Sequence, residues 1–456
     1  MEASERRRVA WYGDDMTGSV DVLDALIRAG MSAALFIEEP SQADLDAVGD
    51  VEAVGIAGMT RTMSTSQLRA TLGPALRKLA GLGAPVVHYK VCSTFDSSPW
   101  LGSIGASIEM ASEVIDTPFV PLLVAAPELG RYTVFGNHFA RSGSEPAVYR
   151  LDRHPTMQHH PVTPIDEADL RLALGRQTAI SQGFVSALDI GRGVEAAAQA
   201  LDEQLLMDAR TILFDALDDS HIETIGELLW SRALAAGTLA VVGSAGVEHA
   251  LTAHWATTGE LPEAVPAPYL AAAGPLLAVA GSCSPVTEVQ IKQAVANGFV
   301  EVALPLDELL GGDERAVQAA MPRVRDALGK GSNVIVHSGE PEARAASGAR
   351  TLSGEDSRRL GSALGAIAEA ALSAGSLPRI AVAGGDTSGD VARRLEIVSL
   401  EAIAPFGPAM PLVRARVPGG VADGLELIFK GGQTGTVDFF SDLLCDQPKL
   451  DREWVT

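Results

Sequence analysis

Basic residues are scarce in this chain: Lys and Arg number 35 against 58 Asp and Glu, for a formal net charge of −23. So negative a field argues against nucleic acid or an anionic membrane as a partner, since both reward Lys and Arg. An anionic small substrate stays compatible with it, because a local arginine or a bound metal overrides the global field. Cysteine is scarcer still. Cys92, Cys283 and Cys445 lie far apart without CxxC spacing, which speaks for a reducing compartment and against a structural zinc site. No apolar run approaches the roughly 18 residues of a membrane span. Arg6-Arg7-Arg8 leads into a strand-like Val-Ala-Trp-Tyr and not into a signal-peptide core, so the expectation is a cytoplasmic protein. Also missing are a solenoid repeat, a low-complexity tract and both standard nucleotide fingerprints, GxxxxGK[ST] and GxGxxG.

What is present is an ordinary globular composition, 47% apolar and 20% charged over 456 residues, enough for two or three domains. The chain is organised around Ile380-Ala-Val-Ala-Gly-Gly-Asp-Thr-Ser-Gly-Asp-Val-Ala-Arg-Arg-Leu395. A short apolar run, a loop with glycines and then helical periodicity read as strand, turn and helix. Gly384, Gly385 and Gly389 let backbone N–H groups approach a ligand, and the start of the following helix favours an anion, with phosphate the obvious candidate.

The same grammar opens the chain. Val9–Tyr12 reads as a strand, Gly13-Asp-Asp-Met-Thr-Gly-Ser19 as a turn, and Val20–Ala29 as a helix stopped at Gly30. Adjacent carboxylates at a strand's C-terminal edge suit hydroxyl binding, base catalysis or a metal, or else one of them caps the helix. Further strands are expected at Ala33–Ile37, Ala53–Ala57, Val86–Lys90, Val120–Ala125, Thr211–Asp215 and Leu239–Gly243. A second run follows at Leu276–Ala280, Val300–Leu304, Asn333–His337, Ile380–Ala383 and Leu425–Lys430. Strands alternating with helices imply largely parallel sheets whose ligands gather at the strand C-terminal ends. Polar loops begin there: Thr60-Arg61-Thr62, Lys90 to Ser97, and Pro127 to His138. Arg61 and Arg131 are able to grip a carboxylate through the guanidinium fork, or to be ordinary solvated cations. His138, His154, His159 and His160 read as loop residues, and the His159-His160 pair lacks metal-site spacing. The prolines of Gly259 to Pro268 mark a boundary, giving domains 1–258 and 276–456 around a linker 259–275. After it, Ser284 caps a helix with Pro285 at its first position. Lys430-Gly-Gly-Gln-Thr-Gly435 adds a third glycine loop, beside those of Ser282 and Gly384–Thr387; the three converge if their strands are neighbours.

Taken together these motifs resemble the four-carbon acid sugar kinase family over nearly the whole chain. In order they are Asp14-Asp15-Met16-Thr17-Gly18, Thr60-Arg61, Lys90 to Thr94, Gly130-Arg131 to His138, Gly243 to Gly246, Gly281 to Ser284, Gly384 to Gly389 and Lys430-Gly431-Gly432. The resemblance implies a sugar-acid-binding α/β domain followed by a nucleotide-binding α/β domain, with the active site in the cleft between them. It implies transfer of phosphate from ATP, assisted by Mg²⁺, to a hydroxyl of a small anionic acid such as threonate, erythronate or 3-oxo-tetronate. By the same resemblance Ser282, Ser284, Gly384, Gly385, Asp386, Thr387, Gly431 and Gly432 meet the nucleotide. Asp15 acts on the acceptor hydroxyl, with Asp14 as second choice. Thr17, Gly18, Arg61, Lys90, Ser93, Thr94, Asp96, Arg131 and His138 line the acid's pocket. No metal ligand is assigned, and a homo-oligomer is left open.

The chain departs from the family's Lys-Ile-Asp-Ser-Thr-Leu-Arg-Gly at Lys90-Val-Cys-Ser-Thr-Phe-Asp-Ser97. An acid is lost at Cys92 and a base is replaced by Asp96, which implies a retuned acid pocket; a branched oxo-acid of the 3-oxo-isoapionate kind is the first expectation. The rivals are a nicotinamide-dependent oxidoreductase acting on similar hydroxy acids, which would need a fingerprint the chain lacks, and a binding protein without chemistry.

Overall fold

The computed structural model describes residues 7–142, 147–159, 163–261, 268–282, 284–310, 314–338, 354–375 and 377–446. His160, Cys283 and most of the proline-rich stretch after Gly259 lie outside them. The chain forms two compact units, Met1–Ala34 with Glu39–Val265, and Leu35–Glu38 with Pro266–Thr456.

The strands β1 (Val9–Gly13), β2 (Ala33–Phe36, of which Ala33 and Ala34 belong to the first unit), β3 (Ala53–Ala57), β4 (Val86–Lys90), β5 (Val120–Leu123), β9 (Gln182–Val185), β10 (Thr211–Phe214) and β11 (Leu239–Gly243) run in the order β2-β3-β1-β4-β11-β5-β10-β9. From β3 to β9 every pairing is parallel. β1, β3, β4 and β11 are buried at every residue, as a parallel sheet covered on both faces requires. A separate antiparallel sheet holds β6 (Arg131–Val134), β7 (Asn137–Arg141) and β8 (Val148–Arg150).

The second unit repeats this winding. β12 (Leu276–Ala280), β13 (Val300–Ala303), β14 (Val334–His337), β15 (Arg379–Ala383), β16 (Ser399–Gly407), β17 (Met410–Arg416) and β18 (Glu426–Lys430) lie in the order β13-β14-β12-β15-β18-β17-β16. They are parallel as far as β18 and antiparallel beyond it. The run β13-β14-β12-β15 has the topology of β2-β3-β1-β4. In both, the chain leaves the first strand to one side and returns on the other. Loops leaving neighbouring strands in opposite directions open a crevice at their carboxyl ends, where ligands of open α/β sheets bind.

Two expectations need correction. The first helix runs Met16–Arg28, a turn earlier than its apolar period suggests, because Asp15 in extended conformation caps it by accepting from the Gly18 amide. Pro127 to His138 is no simple loop but a one-turn 3-10 helix, Pro127–Leu129, and the β6–β7 hairpin. His154 lies in a loop yet is buried: its Nδ1 accepts from the Thr156 and Met157 amides while Nε2 donates to the Arg141 carbonyl.

Candidate active site

At the carboxyl end of β1, the Asp14 amide bonds the Lys90 carbonyl at 2.9 Å and the Arg61 amide bonds the Asp14 carbonyl at 3.1 Å. The loops after β1, β3 and β4 are thereby tied together through backbone. Their side chains form one charged cluster. Arg61 donates Nε to Asp14 Oδ2 at 3.0 Å, Nη2 to Asp14 Oδ1 at 2.7 Å and Nη1 to Asp15 Oδ2 at 2.7 Å. Asp15 also accepts from the Gly18 amide at 2.6 Å and from Thr17 Oγ1 at 3.0 Å. Arg61, expected to hold a substrate carboxylate, thus has its fork on the chain's own acids. Burial disfavours its charge, but Asp14 and Asp15 outweigh burial and hold the guanidinium well above the ordinary range. Burial likewise lifts the Asp14 carboxyl above its usual value, with Arg61 opposing. Lys90, the last residue of β4, is buried and lies 3.3 Å from Asp21 Oδ2. Burial works against its charge too, yet Asp21 and Asp14 raise its pKa. Asp21 was missed from sequence; its signal is the spacing of one helical turn from Thr17, which puts both on one face.

Beyond β4 the chain turns tightly. Cys92 Sγ lies 3.0 Å from Thr94 Oγ1, which donates to Asp96 Oδ1 at 2.8 Å, and Phe95 between them has φ 58°. A bulky residue in the left-handed region costs about 1–3 kcal/mol and persists where its surroundings over-determine it. They do so here. His138 Nε2 donates to the Ser93 carbonyl at 2.8 Å, which leaves Nδ1 to accept from Thr133 Oγ1 at 2.9 Å. The hairpin carrying His138 is pinned in turn by the fully buried Asp215, whose carboxylate accepts from the amides of Phe135, Gly136 and Ala187. Burial pushes His138 down to about 4 and the Cys92 thiol up to about 11, so the imidazole is neutral and the sulfur protonated near neutrality. Both nitrogens of His138 are spent on protein, and it positions the Ser93–Asp96 turn. Arg131, lowered by burial, donates Nη1 to the Leu129 carbonyl at 2.9 Å, and Asp96 opposes the lowering.

In the second unit β12, β15 and β18 are consecutive neighbours, so the three glycine loops meet. A Cβ on Gly432 would fall 2.3 Å from Ser282 Oγ, and one on Gly384 would fall 3.3 Å from the Ser282 amide nitrogen. Gly384 has φ 122° and precedes the helix Gly385–Arg394, whose first turn carries Asp386 and Thr387. Ser284 caps the helix Pro285–Ala296 by accepting from the Val286 amide. Ser282, Gly384 and Gly432 therefore lie against one another at the carboxyl ends of β12, β15 and β18, with no room for a methyl group on Gly432, and Ser284, Gly385 to Thr387 and Gly431 adjoin them in the chain. Glycine loops beside a helix start are the kind of backbone that can form a nest for an anion. Lys430, which the sequence sets beside these glycines, and Thr287, missed from sequence, bond the Gly431 and Gly432 carbonyls.

Comparison with known proteins agrees with this division. Residues 9–251 match the model of a sugar-binding N-terminal domain, and residues 277–440 that of a nucleotide-binding C-terminal domain. The chain belongs to the four-carbon acid sugar kinase family. It is similar to the 3-oxo-isoapionate kinase of Paraburkholderia graminis, at 40% identity over 95% of this chain and 93% of the relative. It is also similar to the 3-oxo-tetronate kinase of Pseudomonas fluorescens, at 31% identity over 97% of each. Among solved structures it superposes on a Salmonella typhimurium LT2 protein with TM-score 0.77 and 25% identity, covering 95% of this chain and 98% of that one. A Haemophilus influenzae protein gives TM-score 0.69 at 21% identity over 95% and 98%, a likeness of fold. Among the described residues no helix is long and apolar enough to cross a membrane.

Proposed function

We propose that the protein is an ATP-dependent sugar-acid kinase that phosphorylates a hydroxyl of a small branched oxo-acid of the 3-oxo-isoapionate class, in the cytoplasm. The near full-length match at 40% identity to a kinase of that name, against 31% to a 3-oxo-tetronate kinase, carries the reading. The oxidoreductase alternative draws no support from these relatives.

Phosphoryl transfer asks the protein for positioning and charge stabilisation more than for covalent chemistry. In this reading the amides of the Gly384–Thr387 and Gly431-Gly432 loops and the hydroxyl of Ser282 hold the phosphates, with Ser284 fixing the helix start beside them. Mg²⁺ usually keeps several waters and binds through phosphates and one or two carboxylates. Asp386, in the first turn of the helix Gly385–Arg394, is the carboxylate this reading assigns to it; the ion would neutralise phosphate charge.

The acid is assigned to the first unit, at Thr17, Gly18, Lys90, Ser93, Thr94, Asp96 and Arg131 around the Asp14–Asp15–Arg61 cluster. Spare acceptor capacity supports giving the acceptor hydroxyl to Asp14 ahead of Asp15. Asp15 already takes three donors, whereas Asp14 takes two, both from Arg61, out of about four lone-pair sites on a carboxylate. Burial also raises the basicity of Asp14. The test is a coupled ADP-release screen over four- and five-carbon aldonic, oxo- and branched acids. ADP formation that depends on one such acid is the expected result, and hydride transfer from NAD(P)H with no ADP release would overturn the reading.

A further inference from the structure

Lys430 ends β18 fully buried, and among the described residues no carboxylate pairs with it. A buried lysine without a counter-charge is costly to keep, so what it touches matters. Nζ donates to the Gly431 carbonyl at 2.8 Å and to Thr287 Oγ1 at 3.0 Å, and Thr287 Oγ1 passes its own proton to the Gly432 carbonyl at 2.8 Å. The remaining face of the amine lies 5.7 Å from the centroid of the Phe439 ring. Lys430 and Thr287 thus take the carbonyls of two successive peptides.

In a trans peptide the carbonyl and the next residue's N–H point in opposite directions. Drawing the Gly431 and Gly432 carbonyls toward Lys430 therefore turns the N–H groups of Gly432 and Gln433 the other way, out of the face opposite the lysine. We propose that Lys430, acting with Thr287, is a positioning residue for the nucleotide: it aims those two amides at the phosphates from behind the loop and never touches the ligand. The inference rests on the nucleotide site proposed above. It also gives the buried charge a use, because two peptide dipoles stand aligned between ammonium and phosphate, and a charged donor on the carbonyl strengthens the N–H at the far end.

The anion and the lysine's proton are then linked. Burial alone lowers free Lys430 to about 7, and phosphate arriving across the peptides raises it, so binding near pH 8 takes up a proton. Among the described residues, charged groups on the elements packed against β18 are engaged as follows, with Arg416 at the far end of β17. Glu288 pairs with Lys292 and Asp390 with Arg393. Arg379 and Arg414 pair with Glu426 at the far end of the strand. Arg394 pairs with Glu369, and Asp438 and Asp442 accept from Gln293 and Thr436. Asp386 lies in the first turn of the helix Gly385–Arg394.

The experiment is titration calorimetry of the full chain with ATP, ADP and adenosine, at pH 6.5 and 8 in two buffers of different ionisation enthalpy. Expected for the wild type is ATP binding with uptake of a substantial fraction of a proton at pH 8 and little at pH 6.5. Lys430→Met should weaken ATP and ADP at least about tenfold, leave adenosine unchanged, abolish the proton uptake, and raise or hold thermal stability, since a buried unpaired charge has been replaced by a hydrophobe. Thr287→Val, nearly isosteric, should weaken ATP in the same direction and serves if Lys430→Met does not fold. ATP binding in the wild type without proton uptake, or folded variants with wild-type ATP affinity, overturns the role of Lys430 while leaving the nucleotide site standing. A wild type that binds no ATP refutes the nucleotide site itself.

Discussion

Arg61 holds Asp14 by a two-point fork, Nε to Oδ2 at 3.0 Å and Nη2 to Oδ1 at 2.7 Å. That geometry sets the Asp14 carboxylate in one plane and leaves the lone pairs on its far side for a hydroxyl. Asp14→Asn should therefore lower turnover by about 10²–10⁴, the range for loss of a proton-transfer group, with ATP affinity nearly unchanged. Asp15→Asn keeps an acceptor at the helix cap and should lower turnover far less, while Asp15→Ala should cost about 1 kcal/mol of stability through the lost cap. Steady-state kinetics and urea melts of the three variants decide the matter. The reverse order of turnover losses would return the role to Asp15.

Gly432 is the position at which the nest has no room to spare, since a Cβ there would meet Ser282 Oγ at 2.3 Å. Gly432→Ala should weaken ATP at least about tenfold, roughly 1.4 kcal/mol, because either the methyl or a displaced serine enters the space of the anion. Calorimetry with ATP checks it. A folded variant with unchanged affinity would remove this loop from the phosphate site.

The strand and loop grammar was legible because parallel strands buried on both faces read as apolar runs, and such runs as Leu239–Gly243 and Leu276–Ala280 end where the structure ends them. Antiparallel pieces escaped. β16 and β17 contain Pro405 and Pro411 and are joined through Pro408, and prolines argue against a central strand. The β6–β7 turn has Phe135 at φ 48° and Gly136 at φ 80°, a hairpin geometry that usually announces itself with Asn-Gly. Of the site, motifs that share a loop could be read. Which partner a polar side chain spends itself on could not, because Arg61 with Asp14, His138 with the Ser93 carbonyl and Lys430 with Thr287 are pairings made across 45 residues or more.

His138 gives a pH signature. Buried in the fold it titrates at about 4, whereas in the unfolded chain it titrates near about 6.5. Between these values the unfolded chain binds the extra proton, so this contribution to stability is complete above about 6.5 and drains as pH falls through about 4, by up to about 3 kcal/mol. His138→Gln should lose that slope. The difference between wild-type and variant urea-melt stabilities, taken across pH 4 to 7, cancels the carboxylates common to both. Parallel curves would show that the imidazole is not held neutral.

Substrate choice is the property expected to follow from the Cys92–Thr94–Asp96 chain. The family's pattern places an acid and an arginine where this chain has Cys92 and Asp96. Here the thiol is protonated, and Asp96 is an acceptor already oriented by Thr94 at 2.8 Å. A pocket that has exchanged a guanidinium for a carboxylate offers hydroxyls a new acceptor and an anionic oxygen one partner fewer. Arg131, close enough to feel Asp96, is the cation assigned above to the substrate's carboxylate. Threonate and erythronate should accordingly trail the best branched oxo-acid in kcat/KM by at least about tenfold, roughly 1.4 kcal/mol of transition-state binding. Asp96→Ala should compress that ranking through KM for the preferred acid, with ATP affinity unchanged, since no nucleotide contact is assigned to the first unit. Kinetics over the acid panel for wild type and variant measure both effects. The assignment fails if a plain tetronate is the best substrate of the wild type, or if Asp96→Ala leaves the order of substrates as it was.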